Sequence, residues 1–466
     1  MQQSESNTEP GASGLTPAVA APQAHTTLTQ PWYRALNRQQ WNALFASNLG
    51  WLFDGYETYA LILTVGIALH QLLGASMSTQ IPWYAGLVIA LTVLGWGIGG
   101  LIGGVLADYI GRKRTMLFAI LAYSLTTGLS AFAWSWESFA ILRFVVGLAM
   151  GSEWATGTAM TAELWPDEHR GKGAGLMQCG LGIGFFVASL VWLFVSETGE
   201  HAWRYMYLIG VLPGFLTLWL RSSIPESEQW EQVNRERRKT RTLKRAGSVL
   251  SEHQQALIRF TLVDLFASPA LRWRTLFAVL MCLATTLGWY GISSWVPPFI
   301  GSIAAQSGLS AARYAGFAGM TYNLGAITGY IVFGFCADAI GRKRITLLFF
   351  CMTFIITPVL FMLTHRIDML LVVTAVSGFF SLGQFAWMPT WLPELYPTRV
   401  RATAIAFCFN TPRFLAWTGP LVAGTLITHF GNYGRAAMIV NMVYLLGILL
   451  SPLLPETRGK RLPENV

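Results

Sequence analysis

Charge is scarce in this chain: of its 466 residues only 12% are Asp, Glu, Lys or Arg, about half the share of an average soluble domain. So few charges cannot clothe a soluble surface of this size. Cysteine is scarce too, with five at unrelated spacings in or beside apolar runs, which points to neither a disulfide framework nor a zinc site. No G-x-x-x-x-G-K-[ST] and no H-E-x-x-H occurs, so an ATP-driven motor and a zincin-type enzyme lose their signatures, and no nucleophile or metal cluster stands out. The first forty residues lack a basic stretch followed by an apolar one, and read as a polar, disordered cytoplasmic tail over 1–40 rather than a signal peptide.

What is present is apolar length. Hydrophobic residues make up 53% of the chain and the mean hydropathy is +0.46. Apolar runs fall near 41–69, 81–107, 115–134, 138–164, 173–196 and 203–221, then near 274–299, 311–337, 344–364, 369–394, 401–428 and 435–454. Roughly 20 apolar residues cross a bilayer as a helix. The expectation is an all-α integral membrane protein with twelve transmembrane helices. Its organisation would be a six-helix bundle over 41–221, a cytoplasmic linker over 222–272, a second bundle over 273–454 and a tail over 455–466.

The formal charge of +9 is explained by where the cations lie. With the N-terminus in the cytoplasm, 26 of the 32 Lys and Arg fall on one side; the exceptions are Arg204, Arg313, Arg366 and Arg435 outside and Arg143 and Arg413 within the membrane. This is the positive-inside bias, so the basic balance reports topology and both termini are expected in the cytoplasm of an inner membrane, with no nucleic-acid partner. The basic linker run RERRKTRTLKR (235–245) is expected to meet anionic lipid. The two halves repeat: LADYIGRKRTMLF (106–118) returns as CADAIGRKRITLLF (336–349), AELWPDEHRG (162–171) as PELYPTRVRA (393–402), and PES (225–227) as PET (455–457), at offsets of 230 or 231 residues. One six-helix unit is used twice in the same orientation.

From Trp41 onward the chain resembles the major facilitator superfamily. The pattern Gly104, Asp108, Gly111, Arg112, Lys113, Arg114, which recurs around Asp338, Arg342 and Arg344, is similar to that superfamily's gating signature. An Asp at a helix end and cations on a short loop can pair across the cytoplasmic seam between the bundles in one state and part in the other. RFVVGLAMGSEWATGTAMTAELWP (143–166) resembles the fourth helix of metabolite:proton symporters, with Ser152 where a second Gly is usual. The segments 35–57 and 385–414 are similar to sialate and related carboxylate:proton symporters, with Pro412 in place of a Gly before Arg413. The resemblance implies alternating access, protons as the coupling ion, no cofactor and function as a monomer.

Depth along the runs selects the interior charges. At ~1.5 Å per residue, Asp54 lies near the midplane, and Glu153, Gln384 and Arg413 fall at the same level, where transporters of this architecture bind substrate. A charge there costs ~2.5–3.5 kcal/mol on insertion scales, so it needs a partner or a function. Asp54, then Glu153, then Glu57 are the candidates for carrying protons. Arg143 precedes Gly147 and Gly151 and is assigned to packing or gating. The repeat equivalents of Asp54 and Glu153 are Ala284 and Gly383, so Arg413 has no carboxylate in its own half and is free to grip an anion bidentately. Gln384, Asn410, Tyr290, Tyr322 and Asn323 are its candidate neighbours, with Trp289, Trp295, Trp387 and Trp391 as possible walls. The reading is proton-coupled uptake of a small organic anion such as a mono- or dicarboxylate, an aromatic acid or sialic acid. The alternatives are a carrier of a sugar or other neutral solute, favoured by PESEQW and PETRGK, and a transporter-like membrane sensor.

Overall fold

The computed structural model describes residues 31–464 except 418–425, 427, 428 and 431. The membrane helices are labelled α1 to α12. In the first half they are α1 (Arg38–Leu73), α2 (Ile81–Ile110), α3 (Arg112–Ser130), α4 (Trp136–Leu164), α5 (Arg170–Val195) and α6, in two pieces, Ala202–Ile209 and Leu212–Ser222. The second half has α7 (Pro269–Ile292, continued by Val296–Gln306), α8 (Ala311–Ile340), α9 (Arg342–Pro358) and α10 (Ile367–Ser381, continued by Trp387–Leu395). It closes with α11 (Arg401–Asn410, then Arg413–Ala416) and α12 (Tyr433–Asn441, then Tyr444–Leu450). Nine spans among the described residues are long and apolar enough to cross a membrane.

Local chemistry sets the ends. Asn37 caps α1 in a capping box with Gln40, and Ser135 does the same for α4 with Ser138. Both GRKR loops turn on a glycine with positive φ, Gly111 (109°) and Gly341 (104°), a conformation that side chains resist. Pro412 divides α11, since it brings no N–H to the helix ladder. The outer faces carry exposed Phe118, Phe194 and Trp219, which suits hydrocarbon as solvent.

Small residues let the helices approach. A Cβ on Gly99 of α2 would overlap the Leu148 carbonyl of α4, and one on Gly151 of α4 would overlap the Trp96 carbonyl of α2. Membrane helices lack a hydrophobic drive toward each other and rely on such close contact. The halves meet along α2 with α11 and α5 with α8, where a Cβ on Gly175 would stand 2.6 Å from the Tyr330 carbonyl.

The linker is more ordered than a tether. It folds into helices Glu228–Arg245, Glu252–Ile258 and Thr261–Asp264, lying on the face that carries the GRKR loops, hereafter the basic face. Of the polar tail expected over 1–40, residues 1–30 lie outside the described residues. Within the remainder, Trp32 packs edge-on against Phe335 of α8 at 5.5 Å, and α1 already begins at Arg38.

Candidate functional site

Between the halves lies a cavity lined by Trp51, Thr58 and Trp96 from the first half and Trp289, Tyr290 and Arg413 from the second, among others. Its volume is ≈30 Å³, about one water's share of liquid, so an organic solute needs the walls to part. A second cavity on the side away from the basic face shares Thr58, Trp96, Trp289 and Tyr290 and reaches Glu57 and Arg143.

Arg413 is built into this cavity. Its Nη1 donates to the Phe409 carbonyl at 2.7 Å and to Asn410 Oδ1 at 3.3 Å. The guanidinium lies over the rings of Phe409 (4.0 Å) and Trp96 (4.6 Å), a cation–π arrangement that holds a charge flat. No carboxylate pairs with it among the described residues, and its Nε has no hydrogen-bond partner. Asn410 also packs on Gly100 of α2, where a Cβ would overlap its amide.

The floor is aromatic and comes from both halves. Trp154 stacks on Phe409 across the seam at 3.7 Å and 22°, and Trp51 packs against Trp96, Trp154 and Phe409. Of the second-half tryptophans weighed as walls, only Trp289 lines the cavity. Trp387 donates to Thr285 Oγ1 and Trp391 to the Pro455 carbonyl, both fully buried inside their own half, and Trp295 is likewise buried away from the cavity.

The other expected neighbours of Arg413 fall into two groups. Tyr290 lines the cavity. Gln384 is fully buried with both amide atoms outside hydrogen-bond geometry, and does not line the cavity in this state. Tyr322 bonds Ser381 at 2.6 Å and also Ser293, inside the second half. Asn323 donates to the Gly319 carbonyl of its own helix at 3.0 Å, so both are held by local partners.

The acids of the first half separate sharply. Glu57 pairs with Arg143 at 3.0 Å, both about 1% exposed, and Arg143 also bonds Ser130 at 2.7 Å and lies over the Tyr207 ring at 4.4 Å. Arg143 therefore ties α4 to α1, α3 and α6 and stands away from the basic face; of the two roles expected of it, packing and gating, these contacts are those of packing. Glu153 pairs with Arg221 of α6 at 2.6 Å. Asp54 is fully buried and neither of its oxygens has a partner.

The basic face is closed by a reciprocal pattern. Neither α5 nor α11 has a side-chain cap of its own. Asp108, at the end of α2, accepts from the N–H of Ala402 (3.3 Å), the N–H of Thr403 (2.9 Å) and the Thr403 hydroxyl (2.7 Å) at the start of α11. Asp338, at the end of α8, accepts from the N–H of Gly171 (3.0 Å) and Lys172 (2.9 Å) at the start of α5. Each half thus caps a helix of the other, satisfying orphan N–H groups and meeting the positive end of the helix dipole. The Asp–cation pairs of the two GRKR loops, expected across the seam, form within each half instead, Arg112 with Asp108 and Arg342 with Asp338. One Asp–cation pair does cross the seam, Lys172 with Asp338 at 3.4 Å, and glutamates supply the other crossings: Glu163 holds Arg112 (3.0 Å) and, from the other half, Arg401 (2.7 Å). Glu394 likewise holds Arg342 (2.8 Å) and Arg170 (3.1 Å). Arg114 and Arg344 point outward, exposed and without an ion pair among the described residues, because successive helix positions cannot share one face.

Two parts of this arrangement escaped the sequence reading. Arg221 closes the apolar run of α6 and looks like another basic-side anchor, yet it is 1% exposed. The first-half tryptophans left a visible sign, each following a Gly or Glu at mid-run in GW (50–51), GW (95–96) and EW (153–154). The repeated Pro-Glu-Ser/Thr also acquires a role. Glu226 accepts from the N–H of Arg112 at 3.0 Å, and Glu456 from that of Arg342 at 3.0 Å, so each half-end caps its own third helix.

Two six-helix halves facing each other across a central cavity, sealed on one face by exchanged helix caps, have the architecture of a membrane transporter. The model of the family described as "Sugar (and other) transporter" matches residues 46–465, and the chain belongs to that family, within the major facilitator superfamily. It is 31% identical over 429 residues to a putative metabolite transport protein of Haemophilus influenzae, covering 92% of this chain and 99% of that one. It is 28% identical to the sialic acid transporter NanX of Escherichia coli K12, covering 89% and 93%, and other relatives are named as transporters of 4-methylmuconolactone, gentisate and gallate. Among solved structures, the proton:xylose symporter XylE bound to 6-bromo-6-deoxy-D-glucose superposes with a TM-score of 0.72 at 20% identity, over 91% of this chain and 97% of that one. That likeness is one of fold.

Proposed function

We propose that the chain takes up a small organic acid together with protons, binding the carboxylate at Arg413. The observation that carries this is a buried guanidinium on the central cavity, braced by a carbonyl, an amide and two aromatic faces, with no carboxylate partner among the described residues. Relatives named for sialic acid, gentisate and gallate support the same class of solute. The rings of Trp51, Trp96 and Trp289 suit an apolar or planar body beside the carboxylate. Asp54, buried and unpartnered, is the proton carrier: neutral when protonated, it turns into a charge needing compensation when the proton leaves. Glu57 and Glu153 already hold arginines, and their part in coupling is secondary to that of Asp54.

The charge bias supports a cytoplasmic position for the basic face and both termini, at the inner membrane. The exposed linker cations, Arg235, Arg238, Lys239, Arg241, Lys244 and Arg245, lie where anionic lipid headgroups would meet them. No feature requires more than one copy of the chain for this cycle.

The test is uptake into proteoliposomes by wild type and Arg413→Lys, challenged with gentisate, gallate and sialic acid and with their neutral amides or esters. Loss of the guanidinium fork, with hydrogen bonds to charged groups at ~1.5–3 kcal/mol, predicts at least tenfold weaker competition by the acids. Neutral analogues should lose little. Equal losses for acids and neutral analogues would reject Arg413 as the anion site.

A further inference from the structure

The first half holds a buried charge cluster that the carboxylate site does not use. Arg221 Nη2 bonds Glu153 Oε1 at 2.6 Å and the Ala46 carbonyl at 3.2 Å, while its Nε and Nη1, and Glu153 Oε2, have no partner. Gly50 makes room for this pair: a Cβ there would overlap both Glu153 Oε1 and Arg221 Nη2. Asp54 stands one helical turn beyond Gly50 on the same face of α1, ~6 Å along the axis at 1.5 Å per residue. A rotamer change in a long side chain covers that distance. The charged groups acting on Asp54 are Glu153, Arg221, Glu57 and Arg413, and the unpartnered Tyr123 hydroxyl feels the same cluster. Arg143 is engaged by Glu57, Ser130 and the Tyr207 ring and keeps only its Nε idle, and Arg413 is braced in the central cavity with only its Nε idle. Arg221 has two idle nitrogens, Nε and Nη1, and of the arginines that act on Asp54 it acts the more strongly.

We propose that Arg221 is a mobile counter-ion shared by Glu153 and Asp54, so that the proton on Asp54 is exchanged against a guanidinium movement inside the first half. This rests on the reading of Asp54 as the proton carrier. With Asp54 protonated and neutral, Arg221 neutralises the Glu153 carboxylate, as in this structure. Transfer of the Asp54 proton to Glu153 leaves an anion on Asp54 and a neutral acid at residue 153, and the guanidinium then swings to Asp54. The cluster stays neutral throughout the exchange. The proton on Glu153, one turn nearer the basic face, leaves to water when that face opens, and a new proton on Asp54 returns Arg221 to Glu153. Arg221 is a positioning residue: it touches neither the solute nor the proton in flight.

The test uses the full-length protein in detergent and needs no solute. The infrared C=O band of a protonated carboxyl that disappears in Asp54→Asn reports the proton on Asp54. In Glu153→Gln the arginine loses its anionic partner and is free to move to Asp54, so at a fixed pH the ratio of protonated to ionised Asp54 should fall at least tenfold. In Arg221→Gln the same ratio should rise, and in Arg221→Lys it should also rise, by a smaller factor. An unchanged Asp54 band in Glu153→Gln overturns the proposal; if that variant does not fold, an unchanged band in Arg221→Lys overturns it equally. The symport reading fails separately, if Asp54→Asn still accumulates gentisate or gallate against a gradient in proteoliposomes under an imposed pH difference.

Discussion

Replacing Asp108 by Ala removes three hydrogen bonds to the start of α11, those from the Ala402 and Thr403 N–H groups and the Thr403 hydroxyl at 2.7–3.3 Å. All three cross the seam and exist only while the basic face is closed. Hydrogen bonds to a charged group contribute ~1.5–3 kcal/mol, but these share one carboxylate, and opening lets water satisfy the released N–H groups. A net ~2–4 kcal/mol is the magnitude to expect, close to an N-cap of ~1 kcal/mol plus a partly buried charge at a helix end worth up to ~2. At ~1.4 kcal/mol per tenfold, the open-to-closed ratio should rise by roughly 30- to 1,000-fold. Spin labels at positions 114 and 344 read this directly, since Arg114 and Arg344 are exposed, lie one in each half, and take no part in the gate. In a background freed of the five native cysteines, the electron–electron distance distribution should broaden or shift to longer separations in Asp108→Ala. Asp108→Asn, which keeps an acceptor without the charge, should lie between. A distribution indistinguishable from that of the parent would refute the cross-capping account and leave Asp108 as a partner of Arg112 alone.

Other outcomes follow from the same contacts. Gly99→Leu should lower the unfolding temperature in detergent by several degrees, because the Leu148 carbonyl occupies the space a side chain needs and overpacking costs ~1–3 kcal/mol. Arg237→Ala, which deletes bonds to the carbonyls of Leu257 (2.9 Å), Asp108 (2.7 Å) and Arg399 (3.2 Å), should loosen the linker from both halves. It should be read as faster proteolysis after Arg235 and Arg238, and unchanged cleavage would count against a clamping role. For Glu456, burial pushes the carboxyl up, but the N–H groups of Arg342, Arg458, Lys343 and Thr457 together outweigh it and hold the group below its ordinary value of 4.5. Its stabilising contribution is therefore complete above about pH 4.5 and is lost as pH falls through the lower folded value. The gap in unfolding temperature between wild type and Glu456→Gln should be present at pH 7 and close under strongly acidic conditions.

The parts legible in the sequence are those that one helix writes by itself. Apolar length showed the spans, the GRKR offset showed the duplication, and counting residues from a run's start brought Arg413 and Asp54 to one level, where the charge of the one acts on the other. Depth along a helix says nothing of azimuth, and azimuth decided the rest. Gln384 and Tyr322 have the expected height yet turn into their own half, while Trp96 and Trp154, on helices read mainly for glycine packing and for Glu153, turn to the seam. Arg221 was hidden for a different reason. An arginine at the end of an apolar run is usually an anchor in the headgroups, and only the room above Gly50 reveals that this one reaches inward.

The duplication also explains why the gate is reciprocal. A six-helix unit that ends its second helix in Asp and begins its fifth without a cap cannot satisfy itself, because those two ends are far apart within one unit. Pairing two copies about an axis along the membrane normal brings each Asp to the other's uncapped helix, giving Asp108 to α11 and Asp338 to α5 by a single geometric operation. The same operation doubles the Glu–Arg crossing, Glu163 with Arg401 and Glu394 with Arg170. Both caps exist only while the face is closed, so if the halves rock as rigid bodies their contributions add, and Asp108→Ala together with Asp338→Ala should raise the open-to-closed ratio by the product of their separate effects. A clear departure from that product would mean that the two ends of the seam part separately, and that the halves do not rock as rigid bodies.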